Sequence, residues 1–376
     1  MPKFDDYLDY EEDYYGSERK ENRKERRETQ AKDRSKYKKS DLDKQKERDK
    51  HAAPPPLKEG RLRGRVLTIS PEMISVSAEG KTYTCTLKGA LKKEKTKQKN
   101  LIAVGDFVHF EKNDTQGAID FIEKRSSMLL RAENLSRRKT QLIAANIDQV
   151  FIVMSLVSPK FKPLLVDRYI LSASKGNMKP IVIINKTDLL DDPPENILED
   201  EVNADKISLE EFIKAYQHLD IPVIPMSVST SEGVEDVKKL MENQTSVFSG
   251  QSGVGKSSII NAVLGSSLPI GPIAHKTNKG SHTTTQAELI PLENGGFCID
   301  TPGIKSFGLW DNDPESILEI FPDFVPFAKT CKFPNCTHIH EPDCGIKNAL
   351  DEGKLSPLRY ASYITLLEDT PPKEWE

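Results

Sequence analysis

Gly250-Gln251-Ser252-Gly253-Val254-Gly255-Lys256-Ser257 fits the pattern G-x-x-x-x-G-K-[ST]. No other stretch constrains the fold as tightly, because such a loop works only between a strand and a helix. Ser246 to Ser249 reads as the strand and Ser258 to Leu264 as the helix. Glycines let successive backbone N–H groups turn inward around phosphate oxygens, and the helix N-terminus adds a favourable potential for anions. Lys256 is expected to reach the β- and γ-phosphates and the Ser257 hydroxyl to ligate Mg²⁺, with Ser258 completing the nucleotide-binding run.

A second motif bears on which nucleotide is bound. Asn185-Lys186-Thr187-Asp188 ends the apolar run Ile181 to Ile184. A carboxylate at Asp188 can accept from guanine N1–H and the 2-amino group together. Adenine would leave it unpaired, a mismatch worth on the order of 10⁴-fold in discrimination. Asn185 can orient the loop and meet the base edge, and the Lys186 stem can lie over the ring. Ser227-Val228-Ser229, after the strand Pro222 to Met226, is expected to offer a backbone N–H to guanine O6.

Asp300-Thr301-Pro302-Gly303 ends the apolar run Phe297 to Ile299. Asp300 is expected to hold Mg²⁺ through water, and the Gly303 N–H to meet the γ-phosphate. Upstream, Lys279-Gly280-Ser281-His282-Thr283-Thr284-Thr285 supplies a hydroxyl to complete the Mg²⁺ shell. Thr284 is the expected ligand and Thr283 its alternative.

From Ile147 onward, apolar strands alternate with helices near Leu164 to Ser174, Leu209 to His218 and Val234 to Asn243. That pattern predicts a parallel sheet covered on both faces, a P-loop α/β domain. The order of its parts is unusual. In ordinary GTPases the phosphate loop precedes N-K-x-D, whereas here Asn185 comes 65 residues before Gly250. All the parts are present in cyclically shifted order, which predicts a circularly permuted GTPase domain.

The flanking segments have different compositions. Residues 60 to about 126 hold five short runs rich in β-branched and aromatic residues, punctuated by glycines, as in a small closed barrel of the OB type. Lys92 to Lys99 forms a basic loop there, a place where such barrels contact nucleic acid. Arg19 to Lys50 carries 15 lysines and arginines against 8 acidic residues and has almost nothing to bury, so the N-terminal extension is expected to be disordered or at most a solvated helix, either a solubilising tail or a basic arm attracted to phosphate backbone. Late in the chain, Cys331-x4-Cys336-x-His338-x5-Cys344 places three thiolates and an imidazole within 14 residues. That set fits one tetrahedral structural Zn²⁺, with His338 preferred over His340 as the fourth ligand. Cys85 and Cys298 lie in strand patterns and read as small core residues. The expected divisions are 1–56 (charged extension), 57–127 (OB-like barrel), 128–312 (permuted GTPase domain) and 313–376 (zinc-binding domain with helical tail).

Composition excludes several classes. The formal charge of -4 gives no global basic footprint, so any nucleic-acid surface must be local. Five cysteines in 376 residues are no disulfide scaffold, and the apolar run Val150 to Val157 is too short to span a bilayer. The first residues lack the layout of a signal peptide. A cytoplasmic monomer without membrane contact is the expectation.

Together these features resemble the RsgA (YjeQ) family of ribosome-associated GTPases over roughly residues 60 to 365. Leu142-Ile143-Ala144-Ala145-Asn146-Ile147-Asp148 and Asp300-Thr301-Pro302-Gly303-Ile304 also look like that family. The resemblance implies hydrolysis of GTP to GDP, stimulated by the small ribosomal subunit late in its maturation, with rRNA contacts from the barrel and zinc domain. It also implies that His282 positions the attacking water, since Ile304 stands where many GTPases carry a glutamine. Ser281 and Lys305 depart from the family, which usually has arginine at both places. A GTP-gated rRNA-binding switch with little hydrolysis is the alternative, and an ATP-dependent enzyme a third reading.

Overall fold

Gln149–Ser155 is buried at all seven positions, and the main sheet extends to either side of this strand, β8. In this computed structural model the residues described are 60–89, 91, 101–133, 136–194, 197–265, 287–293, 295–300 and 314–368. The extension 1–56, the basic loop Lys92 to Lys99, the run containing Ser281, His282, Thr283 and Thr284, and Gly303 to Lys305 lie outside them. Two compact units are present, one ending at Ser316 and one beginning at Ile317.

In the first unit, β9 (Lys179–Asn185), β10 (Val223–Pro225), β11 (Thr245–Ser249) and β13 (Phe297–Asp300) join β8 in the parallel order β10-β9-β8-β11-β13. β12 (Glu288–Pro291) runs antiparallel to β13. The central strands are continuously apolar because helices cover both faces. Among these helices, α1 (Pro163–Lys175) is buried along most of its length. α2 (Glu199–Tyr216) starts about ten residues before the sequence pattern suggests. Its first half is too polar to show helical periodicity, although Val202 and Asp205 are buried. α3 (Val234–Met241) buries Val234, Val237 and Met241, and α4 (Lys256–Leu264) follows β11. Phe151 and Phe248 stack at 4.8 Å in the core beneath.

The barrel strands are β1 (Arg61–Ile69), β2 (Ile74–Ala78), β3 (Lys81–Leu87), β4 (Phe107–Asn113) and β5 (Gln116–Ile122). They pair β1-β2-β3-β5-β4, and the β1–β4 pairing closes the ring. Val66, Val76, Tyr83, Cys85, Phe110 and Ile119 fill it. β1 also pairs with β12 at Thr68 and Glu288, so barrel and nucleotide sheet are hydrogen-bonded into one. A separate hairpin, β6 (Met128–Glu133) and β7 (Ser136–Ala145), was not expected from the sequence.

The second unit contains α6 (Val325–Ala328), α7 (Gly345–Asp351) and α8 (Pro357–Glu368), with α5 (Pro314–Glu319) at its boundary. Phe321, Phe324 and Tyr363 pack on one another. The fully buried Arg359 pairs with Asp323 at 3.0 Å and lies over the Phe321 ring.

Candidate nucleotide and metal sites

Parallel strands place their carboxyl ends on one edge, where open α/β sheets bind ligands. Here that edge carries Asn185 at the end of β9, Gly250 after β11 and Asp300 at the end of β13. Three segments distant in sequence therefore meet.

The phosphate loop is shaped by two glycines whose places admit no side chain. A Cβ at Gly250 would lie 2.1 Å from the Val153 carbonyl oxygen, and one at Gly255 2.4 Å from the Asn185 Nδ2. Gly255 has φ of 95°, the left-handed region that glycine enters at little cost. The loop then opens α4, whose first turn exposes Ser257, with Ser252 and Gly253 also exposed and Val254 buried. The Lys256 amine donates to the carbonyl oxygens of Gly250 (2.7 Å) and Gln251 (2.6 Å). Burial pushes that amine down to about 8.

The N-K-x-D segment touches this loop directly. Asn185 Nδ2 donates to the Val254 carbonyl oxygen at 2.8 Å. Asn185 Oδ1 is buried without a hydrogen-bond partner among the described residues. Lys186, held at φ of 67°, donates through Nζ to the carbonyl oxygens of Ser158 and of Gly253, the latter at 2.8 Å. Burial lowers the Lys186 amine, opposed by Asp188.

Asp188 is the second residue of a short 3₁₀ turn, Thr187–Leu190. Burial works against its charge, but hydrogen bonds from the Ser227 and Ser229 hydroxyls outweigh it, and the carboxyl titrates below its usual range. Those hydroxyls also contact each other at 2.8 Å. Ser229 was expected only as part of a segment offering a backbone N–H, and the bond from its hydroxyl to Asp188 was not foreseen. The Ser227 N–H is already given to the Glu232 carbonyl at 3.1 Å, so the backbone donor expected there for the base cannot be that of Ser227.

In the second unit, ligand atoms of Cys331, Cys336, His338 and Cys344 all lie within 4.8 Å of one another. Cys331 Sγ is 3.4 Å and Cys344 Sγ 3.5 Å from His338 Nδ1, and the two sulfurs are 3.9 Å apart. Tetrahedral zinc requires edges of about 3.5 Å for S–N and about 3.8 Å for S–S. The donor set therefore fits Zn²⁺ through His338 Nδ1. Sequence reasoning missed Glu341, three residues after His338. Its carboxylate accepts from the Thr337 N–H and hydroxyl, both at 2.7 Å, and from the Ile339 N–H at 3.2 Å. Tyr360 donates to the His338 carbonyl at 2.7 Å.

The family model for the RsgA GTPase matches residues 122–310. The protein named small ribosomal subunit biogenesis GTPase RsgA of Phocaeicola vulgatus is 35% identical over 294 residues, 77% of this chain and 91% of its own. The chain belongs to the RsgA GTPase family. It is accordingly a GTP-hydrolysing enzyme. The RsgA of Chlorobaculum parvum is 37% identical over 279 residues, 72% of this chain and 85% of its own. Among solved structures, YjeQ from Thermotoga maritima aligns with a TM-score of 0.64 at 29% identity, covering 82% of this chain and 98% of that one. YloQ, described as a circularly permuted GTPase, aligns at 0.62 with 25% identity, covering 86% of this chain and 100% of that one. The permuted order of motifs in this chain agrees with the description of YloQ. Among the described residues, no helix is long and apolar enough to cross a membrane.

Proposed function

We propose that this GTPase hydrolyses GTP to GDP and phosphate under stimulation by the small ribosomal subunit, and acts late in that subunit's maturation. The observation that carries the nucleotide reading is the meeting of Asn185 with the phosphate loop at Val254, 2.8 Å across the sheet edge. The names of the relatives supply the ribosomal part. Residues 57–127 are the barrel, 128–312 the permuted GTPase domain and 313–376 the zinc domain, with barrel and zinc domain contacting rRNA.

Asp188 reads the guanine N1–H and 2-amino group, held for that task by Ser227 and Ser229, and the Val228 N–H meets O6. The backbone of Gly250 to Ser258 takes the phosphates, and the Lys256 amine exchanges its two loop carbonyls for phosphate oxygens. Ser257, Thr284 and Asp300 offer the hard oxygen donors that Mg²⁺ takes, and Gly303 lies at the γ-phosphate. Bound Mg²⁺ neutralises charge on the β- and γ-phosphates. His282 orients the water for in-line attack, the role left open by Ile304. One Zn²⁺ on Cys331, Cys336, His338 and Cys344 is structural, because all four places are filled by protein. The enzyme works as a cytoplasmic monomer.

Phosphate release from GTP, with and without purified small subunits, tests this reading. Stimulation is expected. Tight GTP binding without stimulation would favour the second reading, a GTP-gated rRNA-binding switch, which Ile304 after Asp-x-x-Gly motivates.

A further inference from the structure

Arg65 lies on barrel strand β1, half-buried, yet it touches three separate parts of the first unit. Its guanidinium carbon is 5.0 Å from the centroid of Phe107 on β4 and 4.6 Å from that of Phe297 on β13. One terminal nitrogen donates to the Asn146 carbonyl at 2.7 Å, in the segment leading into β8. The planar cation is therefore held between a barrel ring and a ring of the nucleotide domain, an arrangement a lysine cannot reproduce.

The position of Phe297 gives this clamp its consequence. It stands three residues before Asp300 on a four-residue strand. β12, which precedes β13, is itself paired to β1 at Thr68 and Glu288. Asp148, the charge that favours the Arg65 cation against its burial, accepts the Thr245 N–H at 2.7 Å. Thr245 opens β11, which runs into the phosphate loop. A displacement of β1 therefore acts on β11 and β13, two of the strands that end at the nucleotide edge.

We propose that Arg65 is a positioning residue that couples the barrel to the strand carrying Asp300, so that engagement of the barrel by RNA alters GTP hydrolysis. This rests on the reading that the small subunit stimulates turnover. Arg65 touches no reacting atom, so its loss is expected to change the stimulation and not the binding of either partner.

The test compares wild type, Arg65→Met, Arg65→Lys and Phe297→Leu in the full chain. Three quantities are measured: the Kd of a fluorescent GTP analogue, co-sedimentation with small subunits, and kcat with and without them at saturation. Arg65→Met is expected to keep both affinities and its basal kcat within about threefold and to lose about tenfold or more of the stimulation factor, the scale of a typical coupling free energy. Arg65→Lys, which keeps the charge without the stacking, should fall between. Stimulation by the wild-type factor in Arg65→Met overturns the proposal, as does a loss explained by weaker subunit binding, which would make Arg65 a docking residue. If Arg65→Met does not fold, Phe297→Leu decides by the same criteria. If wild type itself is not stimulated, it is the functional reading that has failed.

Discussion

The side-chain amide of Asn185 donates to the carbonyl oxygen of Val254 at 2.8 Å, tying the N-K-x-D segment to the middle of the phosphate loop. Both groups are buried, so removing the donor strands an acceptor, at a cost of about 1–3 kcal/mol. Asn185→Ala is therefore expected to lower stability by that amount in urea titration and to weaken GTP binding at least tenfold. The loss should extend to guanosine-free ligands such as tripolyphosphate, because the phosphate loop itself is loosened. An unchanged tripolyphosphate affinity would show that the contact does not shape the loop.

Asp188 is the group proposed to carry base selectivity. Its carboxylate would accept two donors from guanine, whereas an amide would present an N–H₂ where xanthine has its 2-oxo group. Asp188→Asn should lower GTP affinity by on the order of 10³–10⁴-fold, as expected when a buried polar group loses its match. Xanthosine triphosphate should gain affinity in the same variant. Competition binding with both nucleotides reads the exchange directly.

Lys256 makes nucleotide binding depend on pH. Burial places its amine at about 8 in the folded protein, below the ordinary lysine value of 10.5. A basic group depressed in this way opposes folding below pH 8, and the penalty fades as pH rises from 8 towards 10.5. Phosphate oxygens favour the charged amine, so binding takes up a proton above pH 8. GTP affinity should be flat from pH 6.5 to 7.5 and fall by up to about tenfold per unit above 8. Lys256→Met should bind weakly, without that slope. Titration calorimetry in buffers of different ionisation enthalpy measures the proton uptake.

Glu341 holds the backbone around the Cys₃His cluster. Burial disfavours its charge, but bonds from Thr337 and Ile339 outweigh this and bring the carboxyl down to about 2. Its contribution to stability is thus present above its ordinary value of 4.5 and lost as pH falls towards 2. These bonds bracket His338, a non-glycine residue at φ of 66°. Glu341→Gln is expected to weaken zinc binding about 10–100-fold at pH 7, the usual range for partners behind the ligands. Competition with a chromophoric chelator measures it.

Removing the metal itself should matter more. Residues 317–368 bury a small core, and units of this size usually need a staple. Chelation is expected to abolish the cooperative melting of this unit while GTP affinity stays within about twofold, since the nucleotide groups lie in the other unit. Loss of GTP binding on chelation would contradict that separation.

The sequence by itself determined the features that are local in chemistry. Gly250 to Ser257, Asn185 to Asp188 and Cys331 to Cys344 each place their functional groups within a few residues, so spacing alone carries the meaning. The apolar strands β8, β9 and β11 were legible too, because burial on both faces leaves a continuous signature. Even the permuted order was legible, being a matter of which motif comes first. The start of α2, the β6–β7 hairpin and the roles of Ser229 and Glu341 were not. A polar half-helix shows no period, and a side chain's partner is set by folding rather than by its neighbours in sequence. Only the tertiary structure decided that Asn185 meets Val254 across 69 residues, that Ser227 spends its N–H on Glu232, and that Arg65 lies between Phe107 and Phe297. Such contacts follow from strand order and register, which are set by burial summed over the whole sheet and which no local pattern encodes.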